Sequence, residues 1–188
     1  MRRLIFLVLL LSSRCWAATV DRVAVVVGKT VLTQSEVDDE VRLSALESGK
    51  PLDLSAPRRR EAAERLVDQQ LLRDEIHVTG FETPATDADA LLRQFRQSHF
   101  ASMPLYRAAL VRYGVTEDEL KRHLLWELTA LRFTEQRFRP LEAPPDSDRA
   151  NGADAAQAAG NSVDEQMETW LKQQRAATRI VFKQEAFQ

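Results

Sequence analysis

Three histidines, His77, His99 and His123, and one cysteine, Cys15, are the side chains of this chain best suited to metal or nucleophilic chemistry. A zinc site needs several such ligands, usually at short spacings or with cysteine companions. The histidines show no metal-like mutual spacing and no cysteine lies beside them, so each reads as a surface or helix-end histidine. Serine and aspartate are plentiful, yet no G-x-S-x-G elbow frames a serine nucleophile. Gly28-Lys29 lacks every other element of a phosphate loop. The expectation is a protein that is not an enzyme, with no catalytic residue, no metal and no cofactor.

Apolar recognition is the chemistry that remains. Phe95, Phe100, Met103, Leu105 and Tyr106 cluster in a short stretch, with Tyr113 following. Aromatic and methionine side chains at helical spacing usually fill interiors. At a helix junction they also make adaptable surfaces that accept varied peptides. Phe95, Phe100, Met103, Leu105 and Tyr106 are therefore the candidate client-binding residues.

The elements that must position them are legible in the pattern. Val23 to Val27 is a β-branched run, resumed at Val31 and Leu32, and Gly28-Lys29 fits a two-residue hairpin turn. A hairpin alone is marginal in water and needs a third strand or a helix layer. Thr33-Gln34-Ser35-Glu36 fits a capping box opening a helix from Ser35 to Glu47, stopped by Gly49 and Pro51. A second helix is expected from about Pro57 to His77, capped by Ser55, with the Arg58-Arg59-Arg60-Glu61 run as its solvated start. A third runs from Thr86 to about Phe100, and a fourth from Ser102 to Gly114. A fifth runs from the Thr116 capping box to about Phe138, with Leu120, Leu124, Leu128 and Leu131 as its stripe.

Residues Pro140 to Asn161, "PLEAPPDSDRANGADAAQAAGN", break this regularity. They offer little to bury, so a disordered linker is expected over 140–161. A flexible chain of that length spans roughly 26 Å, enough to cross a small domain. Ser162-Val163-Asp164-Glu165 reads as a further capping box, opening a helix with Val163, Met167, Trp170 and Leu171 on one face. Thr178 to Lys183 then reads as a strand. A lone strand leaves backbone groups unpaired, and the N-terminal hairpin lacks a third strand. The two chain ends are therefore expected to meet. The fold class is mainly α, a helical domain with a small N-terminal β-hairpin completed by a C-terminal strand.

Composition bounds the function. Of 188 residues, 44% are hydrophobic and 29% charged, the balance of a globular protein. A net charge of −2 gives no reason to expect nucleic acid, which selects clustered Lys and Arg. The opening "MRRLIFLVLLLSSRCWAAT" has a basic start, an apolar core too short to span a bilayer, and small residues at −3 and −1 of a cut after Ala17. It reads as a signal peptide over 1–17, and Arg14 directly before Cys15 fits a lipid-attachment site poorly. Cleavage there removes three arginines, no acids and the only cysteine. The mature chain then carries a net charge of −5, no disulfide and no segment for stable membrane insertion.

The ordered set of motifs resembles a family. "VDRVAVVVGKTVLTQSEVDDEV" is similar to the opening of mature SurA-type periplasmic chaperones, with their trigger-factor-like peptide-binding helices. "RRREAAERLVDQQLLRDE", "TDADALLRQF" and "YRAALVRYGVTEDELKRHLLWELTALRF" resemble the helices that follow, and "EQMETWLKQQRAATRIVF" the closing helix and strand. The resemblance implies a chaperone domain over 18–139, completed by 162–188. It also implies a periplasmic location in a Gram-negative envelope. The implied partners are unfolded polypeptide clients, with outer-membrane β-barrel precursors foremost. Relatives carry parvulin prolyl-isomerase domains of about 100 residues between body and closing helix. Here that slot holds only the 140–161 linker, so the expectation is a holdase without the isomerase. The alternatives are a prolyl isomerase, as homology would suggest, and a single-partner adaptor in the cell envelope.

Overall fold

The computed structural model describes residues 21–138 and 152–188. The expected signal peptide and the Pro140–Asn151 part of the expected linker lie outside the described residues. β1 (Val23–Val27) and β2 (Thr30–Thr33) form the hairpin. Gly28 turns it with a φ of 58°, a left-handed conformation that side chains resist. Val27 faces Thr30 and Val25 faces Leu32, with an irregularity between Val23 and Val25.

The third strand comes from the other end of the chain. β3 (Ile180–Phe182) pairs antiparallel with the free side of β1, placing Val181 opposite Val26 and giving the order β2-β1-β3. Gly28 N donates to Arg179 O at 2.9 Å, and Lys183 N donates to Ala24 O at 2.8 Å, extending the pairing beyond the strand. The chain ends meet as expected. β1 is central, and Ala24, Val25 and Val27 are at most 1% exposed, which is why its sequence is an unbroken apolar run.

Six helices are present among the described residues. α1 (Gln34–Ser48) opens with a complete capping box, Glu36 N donating to Thr33 Oγ1 and Thr33 N to Glu36 Oε2. α2 (Ala56–Thr79) follows Ser55, whose side chain makes no cap bond, with a proline in its first turn. α3 (Asp87–His99) and α4 (Met103–Tyr113) lead to α5 (Glu117–Arg137), which opens with the Thr116–Glu119 capping box. α6 (Gly152–Ala177) is the closing helix, and a short 3-10 turn (Gln184–Phe187) ends the chain.

Besides the missing Ser55 cap, three expectations are corrected. α6 begins at Gly152, so Ser162 lies inside it and residues 152–161 are helical rather than linker. Alanine supplies the reason: 152–161 is rich in the best helix former, which propagates the helix upstream of the expected cap. The arginine run is not simply solvated. Arg59 forms a two-pronged pair with Asp38 of α1 at 2.7 and 3.2 Å, and Arg60 lies 3.7 Å above the Phe182 ring. The fifth helix does not keep one stripe. Leu120 and Leu124 are buried, while Leu131 is 57% exposed and Phe133 is buried instead. α5 changes partners along its length, packing Leu120 and Leu124 against α3 and α4 and then Phe133 against the end of α2.

Three clusters make the interior. The sheet, α1 and α2 enclose the first, which includes Val37, Leu66, Val67 and Phe187. The second joins Leu43 and Leu46 of α1 to Leu92, Phe95, Tyr106, Tyr113 and Leu120. The third sets Leu72 and Ile76 of α2 against Phe133, with Met167 and Trp170 of α6 packed on it. Because α1 feeds two clusters and α6 seals the third, the helices hold the fold together end to end. Among the described residues no helix is long and apolar enough to cross a membrane.

Candidate peptide-binding groove

α4 positions the predicted client-binding residues. Ser102 precedes it in extended conformation, and Gly114 ends it with a φ of 66°. Its inward face is anchored by two tyrosines. Tyr106 is 0% exposed, and its hydroxyl donates to Glu117 Oε2 at 3.1 Å. Burial first, and then the hydrogen bond to the Glu117 carboxylate, push the Tyr106 phenol up to about 12. Tyr113 donates to Lys50 O at 2.8 Å, tying α4 to the loop after α1.

Phe100 closes α3 in extended backbone and turns its ring onto Tyr106, edge to face at 5.5 Å. Phe95 lies 6.0 Å from Phe100 and stacks at 4.3 Å on His99. These aromatic contacts fix the α3–α4 junction. They also divide the five predicted residues. Phe95 and Tyr106 are buried, a correction to their place as client contacts, because both rings are consumed by the second cluster. Phe100 is half-buried, while Met103 and Leu105 are 38% and 56% exposed.

Phe100 and Leu105 line a groove of about 460 Å³ whose other wall is the end of α1, at Leu46, Glu47 and Gly49. Ala109 and Tyr113 extend its apolar floor. Met103 is exposed at the start of α4 and is not part of that lining. The groove has the lining to take apolar side chains, and Arg112 is a charged residue beside them.

A second depression, of about 420 Å³, lies between the hairpin, α1, α2 and α5. Most of its lining residues are polar or charged. Glu40, 6% exposed, accepts from Arg65 Nε at 3.1 Å and from Gln69 Nε2 at 3.4 Å. Arg73 stands 4.2 Å over the Trp126 ring, and burial lowers its pKa from the usual arginine value. His123 lines this depression.

His123 departs most from its sequence reading. Its side chain is 9% exposed, far from a surface histidine, and Nε2 lies 3.2 Å from Glu47 Oε1 and 3.5 Å from Glu127 Oε1. Neither Nε2 nor Glu47 Oε1 has a hydrogen bond of acceptable geometry among the described residues, so the attraction is ionic. Burial disfavours the imidazolium, but the Glu127 and Glu47 carboxylates outweigh it and raise the pKa to about 10. The i,i+4 spacing of His123 and Glu127 is visible in the sequence. Glu47 is not, because only the packing of α1 on α5 delivers it.

Ser98 Oγ lies 2.8 Å from His99 Nδ1, a pairing that could suggest nucleophilic chemistry. Both groups are instead turned to their own helix. Ser98 Oγ donates to Gln94 O at 3.0 Å, and His99 Nδ1 sits 2.9 Å from Phe95 O, a contact that requires N–H at that nitrogen. The pair satisfies the carbonyls at the end of α3.

Comparison with protein-family models gives no match, and comparison with curated proteins gives none either.

Proposed function

We propose that this protein is an ATP-independent holdase of the periplasm that binds unfolded exported polypeptides, outer-membrane β-barrel precursors among them, in the groove beside α4. One observation carries the reading. Leu105 is 56% exposed at the groove while its neighbour Tyr106 is wholly buried, so α4 is rigidly anchored on one face and offers apolar surface on the other. Adaptable apolar surface on a fixed scaffold suits binding to many sequences. The N-terminal signal pattern supports an exported location, and the resemblance to SurA-type chaperones supports the client class.

Binding needs no covalent step. On entering the groove the client's apolar side chains are withdrawn from water, contributing on the order of 1 kcal/mol per buried methylene. The test is suppression of aggregation of an unfolded outer-membrane β-barrel protein by the purified protein. Suppression near stoichiometric ratio supports the holdase. Undiminished aggregation at a large excess contradicts it, and acceleration of cis/trans exchange in a proline peptide would favour an isomerase instead.

A further inference from the structure

Glu47 in the last turn of α1 and His123 and Glu127, one turn apart on α5, bring three ligand atoms within 4.8 Å of one another. We propose that these residues form a zinc site with three protein ligands and an open fourth position. The proposal does not depend on the holdase reading.

The two spacings to His123 are those of a coordination shell. Zinc binds imidazole nitrogen and carboxylate oxygen at about 2.0–2.1 Å, which sets tetrahedral ligand atoms about 3.3 Å apart. His123 Nε2 stands 3.2 Å from Glu47 Oε1 and 3.5 Å from Glu127 Oε1. A single ring N–H could serve only one of the two carboxylates; zinc would displace that Nε2 proton to solvent and bind all three ligand atoms.

Two further observations point to a ligand. The His123 side chain is nine-tenths buried, and its Nε2 and Glu47 Oε1 both lack a hydrogen-bond partner among the described residues. Buried polar atoms normally have a hydrogen bond, and these two face each other at 3.2 Å with only an ionic attraction between them. α1 also ends with no basic residue in its last turn. Its C-terminal carbonyls and Glu47 leave negative potential there that a cation would neutralise.

The donor set narrows the metal. Calcium and magnesium prefer all-oxygen shells, and a thiophilic ion would want sulfur. One imidazole with two carboxylates suits zinc, with cobalt(II) as a spectroscopic substitute. Bound there, the ion would clamp α1 to α5 where Glu47 lines the peptide groove and His123 the polar depression.

The test is zinc binding by the purified protein, prepared without a histidine tag and stripped with chelator. One zinc per chain is expected, and cobalt(II) should give the visible absorption of a four-coordinate site. Glu127 is half exposed, so Glu127→Gln should leave the fold intact. It and Glu47→Gln should each weaken binding by more than the roughly tenfold cost of losing an outer-shell partner. His77→Gln and His99→Gln should leave binding unchanged. The proposal is overturned by absence of binding at about millimolar zinc, a concentration at which only a very weak site stays empty. It is equally overturned by binding that survives both carboxylate substitutions.

Discussion

Arg175 of α6 donates from Nε to Asp68 Oδ1 of α2 at 2.6 Å, joining residues 107 positions apart. The same guanidinium donates to Glu64 Oε2 and to Glu64 O, each at 2.9 Å. Its pKa is raised, first by the Asp68 hydrogen bond. One side chain thus fastens the returning helix to the body. Arg175→Ala should cost about 1–3 kcal/mol, the range for charge-assisted hydrogen bonds on a part-exposed group. Arg175→Lys should recover only part of this, since lysine lacks the planar fork. Urea unfolding measures both, and an unchanged midpoint in Arg175→Ala contradicts the clamp.

Removal of residues 162–188 should be far more damaging. It bares the second edge of β1 and uncovers the face of α2 against which Leu171 packs. The hairpin is then left two-stranded, an arrangement marginal in water. The truncated chain should lose its cooperative transition or self-associate. A sharp melt at the temperature of the intact protein would mean that the returning segment contributes nothing.

Tyr106 and Leu105 are neighbours with opposite environments, so they should respond oppositely to truncation. Tyr106→Ala empties a site that is 0% exposed and should cost about 3–5 kcal/mol, the range for large aromatic deletions. Leu105→Ala, at 56% exposed, should change stability by about 0.5 kcal/mol or less. Chemical denaturation of the pair reads this directly. Similar losses for both would place Leu105 in the core.

The Thr116 cap should make the start of α5 sensitive to acid. Backbone and side-chain hydrogen bonds from Thr116 hold the Glu119 carboxyl below its ordinary value of 4.5. A depressed folded pKa means stability that is present above the unfolded value and lost as pH falls through the folded one. Thr116→Ala should cost about 1 kcal/mol at neutral pH. Glu119→Gln, with nothing to titrate there, should lose less stability than the native chain as pH falls below the ordinary glutamate value of 4.5. Equal acid sensitivity would show that the cap does not titrate with folding.

Local rules made the elements legible. Thr33 and Thr116 announce their helices because a capping box is written in four consecutive residues. The lone apolar run at Thr178–Lys183 implied a partner because strand backbone cannot stay unpaired. Features assembled across the chain were hidden. Arg59 meets Asp38, Arg60 meets Phe182 and Glu47 meets His123 only after packing. Residue type also failed to separate Tyr106 from Leu105, because one turn of α4 carries both a core face and an open one. The start of α6 was misplaced because a capping-box pattern at Ser162 is locally convincing, while alanine-rich sequence can carry a helix straight through it.

Site-specific crosslinking is the most direct test that clients sit beside α4. A photoreactive side chain would replace Leu105 in the groove and, in a second protein, Val78, which is 82% exposed near the end of α2. Irradiation in the presence of an unfolded outer-membrane β-barrel protein should give a strong adduct at position 105 and little at position 78. Equal capture at both positions, or capture at 78 alone, would contradict the groove as the client site.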